Sequence, residues 1–292
     1  IRKERSRGHF DPKAAVRDTS ELARPLLASL PTGHHLAGVG AAVVGIVRRR
    51  DGFVHLAPNL GWHELPLGEM IADELGIDVR VRVANDADLG ALGEHRRGGL
   101  SRASHLVYIS GEVGIGCGMI VGGKPLLGSA GYAGEAGHTM VNPNGLECRC
   151  GASGCWETEA GEKALLRRVN GVQTTGLAAI DAVAELAAAG DEATLHAISE
   201  TGTWLGVGIS NLMNLVNPDV IVLGGLYHRL YDYLETSVHE GAQRALEAAR
   251  GMVEIRRSAI GVNAPLIGAA ELALAEVIED PAHIASFSAG RI

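Results

Sequence analysis

Four residues stand in a spacing that suits metal chemistry. His138, Cys148, Cys150 and Cys155 form the pattern H-x9-C-x-C-x4-C. Thiolate and imidazole are zinc ligands, and four of them fill the closed tetrahedral site of a structural metal. Gly151 and Gly154 lie between the last two cysteines, where a tight path around an ion needs freedom in φ. Reduced, buried cysteines beside a chance histidine are the alternative. Cys117 stands far off in a glycine-rich stretch and reads as a small core residue.

A second candidate is Asn85-Asp86. A carboxylate at a strand end and helix start can accept a proton from a substrate hydroxyl. The same residues can simply cap the helix, which is the reading that the local sequence favours. Asp88, two residues on, reads as a cap or a solvated charge. The glycine-dense segment Gly111 to Gly118 could let backbone N–H groups approach a phosphate. It lacks the Lys-Ser/Thr of a P-loop and opens no evident helix, so a hairpin or bulge is at least as good a reading. Gly224-Gly225 ends a strand before a helix and reads as a nucleotide-proximal turn or a plain connection.

The elements that must position these residues alternate between strand and helix, which predicts an α/β class. Helical spacing covers residues 12–30, the segment after GWHELP, and 160–168, 177–189, 191–216, 228–249 and 264–279. Strands are predicted over Leu36–Val47, Asp78–Val83, His105–Ser110, Val220–Leu223 and Val253–Arg257. Residues 128–157 read as irregular. A length of 292 residues suggests about two domains, with a boundary in RRGGLSRAS near Ser101–Ser104.

The net charge of −8 argues against this chain alone binding nucleic acid, which normally calls for a basic face. Four cysteines do not make a secreted disulfide framework. The longest apolar or glycine run, Leu36 to Val47, is shorter than the roughly 20 residues of a membrane helix. No signal peptide is visible. The opening IRKERSRGHF reads like the end of a strand entering a turn, which predicts further chain before Ile1.

Taken together, the motifs resemble those of the ROK family of repressors, uncharacterised reading frames and sugar kinases. GEAGH…CRCGASGCWE, residues 134–157, is similar to the family's G-E-x-G-H…C-x-C-G-x-x-G-C-x-E. The resemblance extends from about Val39 to about Ala275. It implies an actin-like, hexokinase/ribonuclease H-like α/β fold of two lobes, with a central cleft and a zinc-bound loop. Residues 1–103 would form the smaller lobe and 104–277 the larger, with a C-terminal helix at about 278–292 packing on the smaller.

By resemblance, Asn85, Asp86, Glu135, His138 and Glu157 contact sugar hydroxyls, as do Gly45 and Asn59 on weaker matches, with Trp62 near Asn59. His138, Cys148, Cys150 and Cys155 would hold structural zinc. Gly114, Gly116, Gly118, Gly224 and Gly225 fall in the phosphate and nucleotide loops of the kinases, in degenerate form. Val113 stands where the kinases carry a hydroxyl residue against phosphate, Glu112 adds a negative charge beside it, and Gly224-Gly225-Leu226 replaces three glycines. The family's Pro-Gly-x-Val-Asp loop reads Val44-Gly45-Ile46-Val47-Arg48, and the Asp-x-Gly-x-Thr of the kinases' first hairpin is not found.

Sugar ligands kept and phosphate ligands eroded point to the regulator branch. The implied protein is a cytoplasmic homodimer or homotetramer that senses a monosaccharide. It would reach DNA through an N-terminal winged helix-turn-helix beyond this sequence. The alternative is a hexose kinase using ATP and Mg, with Asp86 as general base.

Overall fold

A computed structural model describes residues 11–279. The chain opens with α1 (Pro12–Ala28), capped by Asp11, whose carboxylate accepts the Ala14 N–H at 3.0 Å. Then follow β1 (Val39–Val43), β2 (Ile46–Arg48), β3 (Phe53–Ala57), β4 (Trp62–Leu65), α2 (Leu67–Leu75), β5 (Val81–Asn85) and α3 (Asp86–Arg97). β1 pairs in parallel with β5, which sets Val43 opposite Asn85. β2, β3 and β4 form an antiparallel meander. Val16, Val43, Val54, Trp62, Ile71 and Val83 belong to one hydrophobic core under these elements.

Two predictions in this half are corrected. The apolar run Leu36–Val47 is two strands, because Gly45 at φ +111° turns the chain. A Cβ there would collide with the Leu56 carbonyl, so only glycine permits this reversal. The strand predicted at Asp78–Val83 instead spans Val81–Asn85, in register with β1. β3 and β4 were not foreseen.

The second sheet has the order β10-β9-β6-β7-β8. It comprises β6 (Leu106–Gly111), β7 (Ile115–Val121), β8 (Lys124–Pro125), β9 (Val220–Gly224) and β10 (Glu254–Arg257). β10, β9 and β6 run parallel, whereas β6, β7 and β8 are antiparallel. Its helices are α4 (Trp156–Ala160), α5 (Glu162–Arg168), α6 (Leu177–Ala188), α7 (Glu192–Val216), α8 (Gly225–Arg229), α9 (Tyr231–Ala242), α10 (Glu247–Arg250) and α11 (Ala264–Glu279). The helix predicted over 160–168 breaks at Gly161, and that over 228–249 is three helices. A larger core contains Ile109, Trp156, Leu205, Ile209 and Leu223. Trp156 lies over Gly208 of α7 and donates its indole N–H to the Trp204 carbonyl at 3.0 Å.

α3 and α11 lie between these two cores. A Cβ on Gly40 would strike the Ala269 carbonyl, and one on Gly268 the Leu89 carbonyl, so α11 rests directly on β1 and α3. All but the first two residues of the helix predicted at 278–292 lie outside the described residues. Among the described residues, no helix is long and apolar enough to cross a membrane.

Candidate functional site

β5 delivers Asn85 and Asp86 to the start of α3. Asn85 caps the helix: its Oδ1 accepts the N–H groups of Ala87 (2.8 Å) and Asp88 (3.2 Å). Its Nδ2 donates to the Gly45 carbonyl at 3.0 Å, which joins the β1–β2 turn to α3. Asn85 supplies the side-chain cap, and the Asp86 carboxyl also accepts from backbone N–H groups at the helix start, its own and that of Ala87. Burial pushes it up to about 7, and the nearby charge of Glu112 adds to the shift. Asp88 is pushed up to about 6 by burial, against the pull of Arg49 and with the push of Glu135. These shifts connect α3 to the Glu135 loop and to the β6–β7 turn, regions far apart in sequence.

The four predicted metal ligands do come together. Their donor atoms all lie within 4.8 Å of one another. Cys150 Sγ is 3.6 Å from Cys155 Sγ, and Cys148 Sγ is 3.7 Å from His138 Nδ1. Ligand bonds of about 2.0–2.3 Å at tetrahedral angles separate donors by roughly this amount, so the set could hold a metal such as zinc. The backbone supports it locally. The Cys148 N–H bonds the Ala152 carbonyl at 2.7 Å, and Gly151 and Gly154 turn at φ +91° and +71°. Cys117 is buried in β7 outside the cluster, where burial pushes its thiol up.

The cluster touches two of the predicted sugar-contact carboxylates. His138 turns Nδ1 to the cysteines and Nε2 toward Glu135 Oε2, 3.8 Å away. Cys148 Sγ lies 3.4 Å from Glu157 Oε1. Asn59, in the β3–β4 turn, meets this loop through Arg149, whose guanidinium donates to its side-chain oxygen.

The glycine-rich segment is a β6–β7 hairpin, as the simpler reading had it. Gly116 and Gly118 are small because the first turn of α3 lies on them: a Cβ would meet the Ala87 side chain and carbonyl, respectively. A Cβ on Gly114 would meet Glu157 Oε2. At the tip, Glu112 is exposed, and partial desolvation by the surrounding chain pushes its carboxyl up, reinforced by the charge of Glu162. Glu162 is buried and accepts the Gly176 N–H at 2.7 Å. Gly225 turns at φ +56° and bridges to Gly111. Leu226 points into the core at 2% exposure instead of into a nucleotide space. Glu162 was missed in the sequence because only tertiary packing sets it beside Glu112. Arg149 was missed although it stands between two predicted ligands.

Parallel and antiparallel sheets flanked by helices, a cysteine-histidine cluster and an acidic helix start define an α/β protein with a candidate metal site. A profile of the ROK family matches residues 11–276, and the chain belongs to that family. It is 32% identical over 276 residues to a putative xylose repressor of Caldicellulosiruptor sp., covering 90% of this chain and 69% of that protein. It is 31% identical over 259 residues to a glucokinase of Streptomyces coelicolor, covering 82% and 81%. The chain spans 62% of the xylose repressor of Bacillus spizizenii, 30% identical over 84% of this chain. Among solved structures, a ROK family transcriptional regulator described as a homologue of the E. coli MLC protein matches with a TM-score of 0.77 and 27% identity, over 91% and 69% of the two chains. A ROK family glucokinase from Streptomyces griseus in complex with glucose and AMPPNP matches with 0.74 and 28%, over 87% of each. The fold is therefore the actin-like, hexokinase-type α/β fold.

Proposed function

We propose that this chain is the sugar-binding effector region of a ROK-type transcriptional regulator. The observation that carries the reading is the acidic charge gathered at the β6–β7 turn, where exposed Glu112 lies within electrostatic reach of Asp86 and of buried Glu162 in α5. Phosphoryl transfer needs charge neutralisation around the γ-phosphate. Each carboxylate about 4 Å from a phosphate charge costs roughly 4 kcal/mol at an effective dielectric of 20. Nucleotide is opposed there, whereas hydroxyl ligands are kept.

In this reading Asn85, Asp86, Glu135, His138 and Glu157 offer a monosaccharide a set of directed donors and acceptors. Zinc on the His138–Cys148–Cys150–Cys155 set would hold His138 by Nδ1 and fix the tautomer that Nε2 presents. It is a structural ion without a chemical step. DNA contact belongs to a segment outside these residues. Sugar alters it by binding one arrangement of the lobes better than another.

A second reading, an ATP-dependent hexose kinase with Mg, is favoured by one observation: the Asp86 carboxyl at about 7 suits a general base. Calorimetry with xylose and glucose, paired with an ADP-release assay on the same sugars, separates the two. Saturable sugar binding without ADP release is expected. ADP release that Asp86→Asn abolishes would overturn the effector reading.

A further inference from the structure

We propose that Arg149 is a positioning residue of the sugar site, selecting a neutral sugar with two adjacent hydroxyls; this rests on the effector reading above. Arg149 stands between Cys148 and Cys150, so the two predicted metal ligands pin its backbone on both sides. Its guanidinium reaches two residues from separate elements. Nη1 donates to Asn59 Oδ1, from the β3–β4 turn. Nε lies 3.5 Å from Glu157 Oε1, at the start of α4. Nη2 lies 3.2 Å from where a Cβ on Gly114 would stand, so the side chain packs against the hairpin at this glycine.

These contacts assign polarity. An amide has one acceptor oxygen and one donor nitrogen. With Oδ1 taken by Arg149, Asn59 presents Nδ2 as a donor. Glu157 has Oε1 facing Arg149 and Cys148, which leaves Oε2, over Gly114, as its acceptor. One donor and one acceptor are thus set by the same guanidinium. An adjacent pair of hydroxyls satisfies both, one oxygen accepting from Asn59 and the other O–H donating to Glu157. The guanidinium also balances the Glu157 charge, so the pair favours an uncharged sugar over a sugar acid. Without Arg149 the Asn59 amide can flip, and Glu157 loses a charge-assisted partner.

The test is calorimetry of the full chain with whichever of xylose and glucose binds, and with that sugar's single-deoxy analogues. Arg149→Met is expected to weaken binding by roughly tenfold or more, the size of one lost charge-assisted hydrogen bond. Arg149→Lys, which keeps the charge without the fork, should recover part of it. The unsubstituted chain should discriminate against one deoxy analogue, and Arg149→Met should lose that discrimination. Metal content should stay at the unsubstituted value, with Tm lowered only by the loss of the Glu157 partner. Unchanged affinity and discrimination in Arg149→Met would overturn this proposal alone, as would a loss of metal in step with the loss of affinity. No sugar binding by the unsubstituted chain would overturn it together with the effector reading.

Discussion

If Asp86 accepts a hydrogen bond from a sugar hydroxyl, sugar affinity must follow its ionisation. Burial and the neighbouring Glu112 hold this carboxyl at about 7. About half the molecules then carry the proton at neutral pH. Near pH 6 roughly a tenth are ionised, and near pH 8 roughly nine-tenths. Binding that requires the carboxylate therefore weakens about tenfold from pH 8 to pH 6. The sign for folding is the reverse. A carboxyl raised above its ordinary value is penalised when charged, so its contribution to stability falls as pH rises from about 4 through 7. Calorimetric titration of the chain with xylose or glucose across this range, at constant ionic strength, reads the effect. Glu112→Gln removes a like charge and should move the midpoint to lower pH. Asp86→Asn should weaken binding and flatten the profile. Affinity that is level with pH, or that rises on acidification, would refute the role of Asp86. A midpoint unmoved by Glu112→Gln would refute the electrostatic cause.

Elemental analysis of the purified chain should find close to one zinc per molecule, and Cys150→Ser or a chelator should lower Tm, because a structural metal contributes folding energy directly. Glu94 is buried and accepts from the Ser258 hydroxyl, the Ile260 N–H at 3.0 Å and the Ala259 N–H at 3.3 Å. Glu94→Gln turns an amide donor toward these donors and should cost about 3 kcal/mol in urea unfolding; a cost near zero would show that the network rearranges freely. Gly268→Ala drives a methyl group into the Leu89 carbonyl and should destabilise by about 1–3 kcal/mol through separation of α11 from α3.

Elements held by local signals were legible in the sequence. α7 has an Asp191 cap, whose carboxylate accepts the Thr194 N–H at 2.8 Å, and its long run of helical periodicity needs no distant partner to be read. α11 spans the residues expected of it for the same reason. β3 and β4 escaped notice because WHEL has polar residues at its centre and becomes a strand only by pairing with β3. The break at Gly161 escaped because apolar spacing runs through it, whereas the glycine packs against the Glu157 carbonyl. Within the site, the metal ligands were visible because three of them lie within one short loop and need only its turns to converge.

The sequence by itself determined which chemistry the chain carries: thiolates and imidazole at ligand spacing, an Asn-Asp at a helix start, and Val113 where kinases keep a hydroxyl, with the charge of Glu112 beside it. Those are properties of residue types and short spacings. Tertiary structure alone decided what each group is able to do. Asn85 ties the helix start to the β1–β2 turn, because β5 pairs with β1 and brings Gly45 to its amide. Glu112 comes within electrostatic reach of Glu162, 50 positions later, only in the folded chain. Arg149 reaches Asn59 across 90 positions, from a loop bent by its flanking cysteines. Burial and charge proximity set proton affinity and hydrogen-bond polarity. Both depend on which surfaces the packed chain removes from water, and no local pattern of residues encodes that.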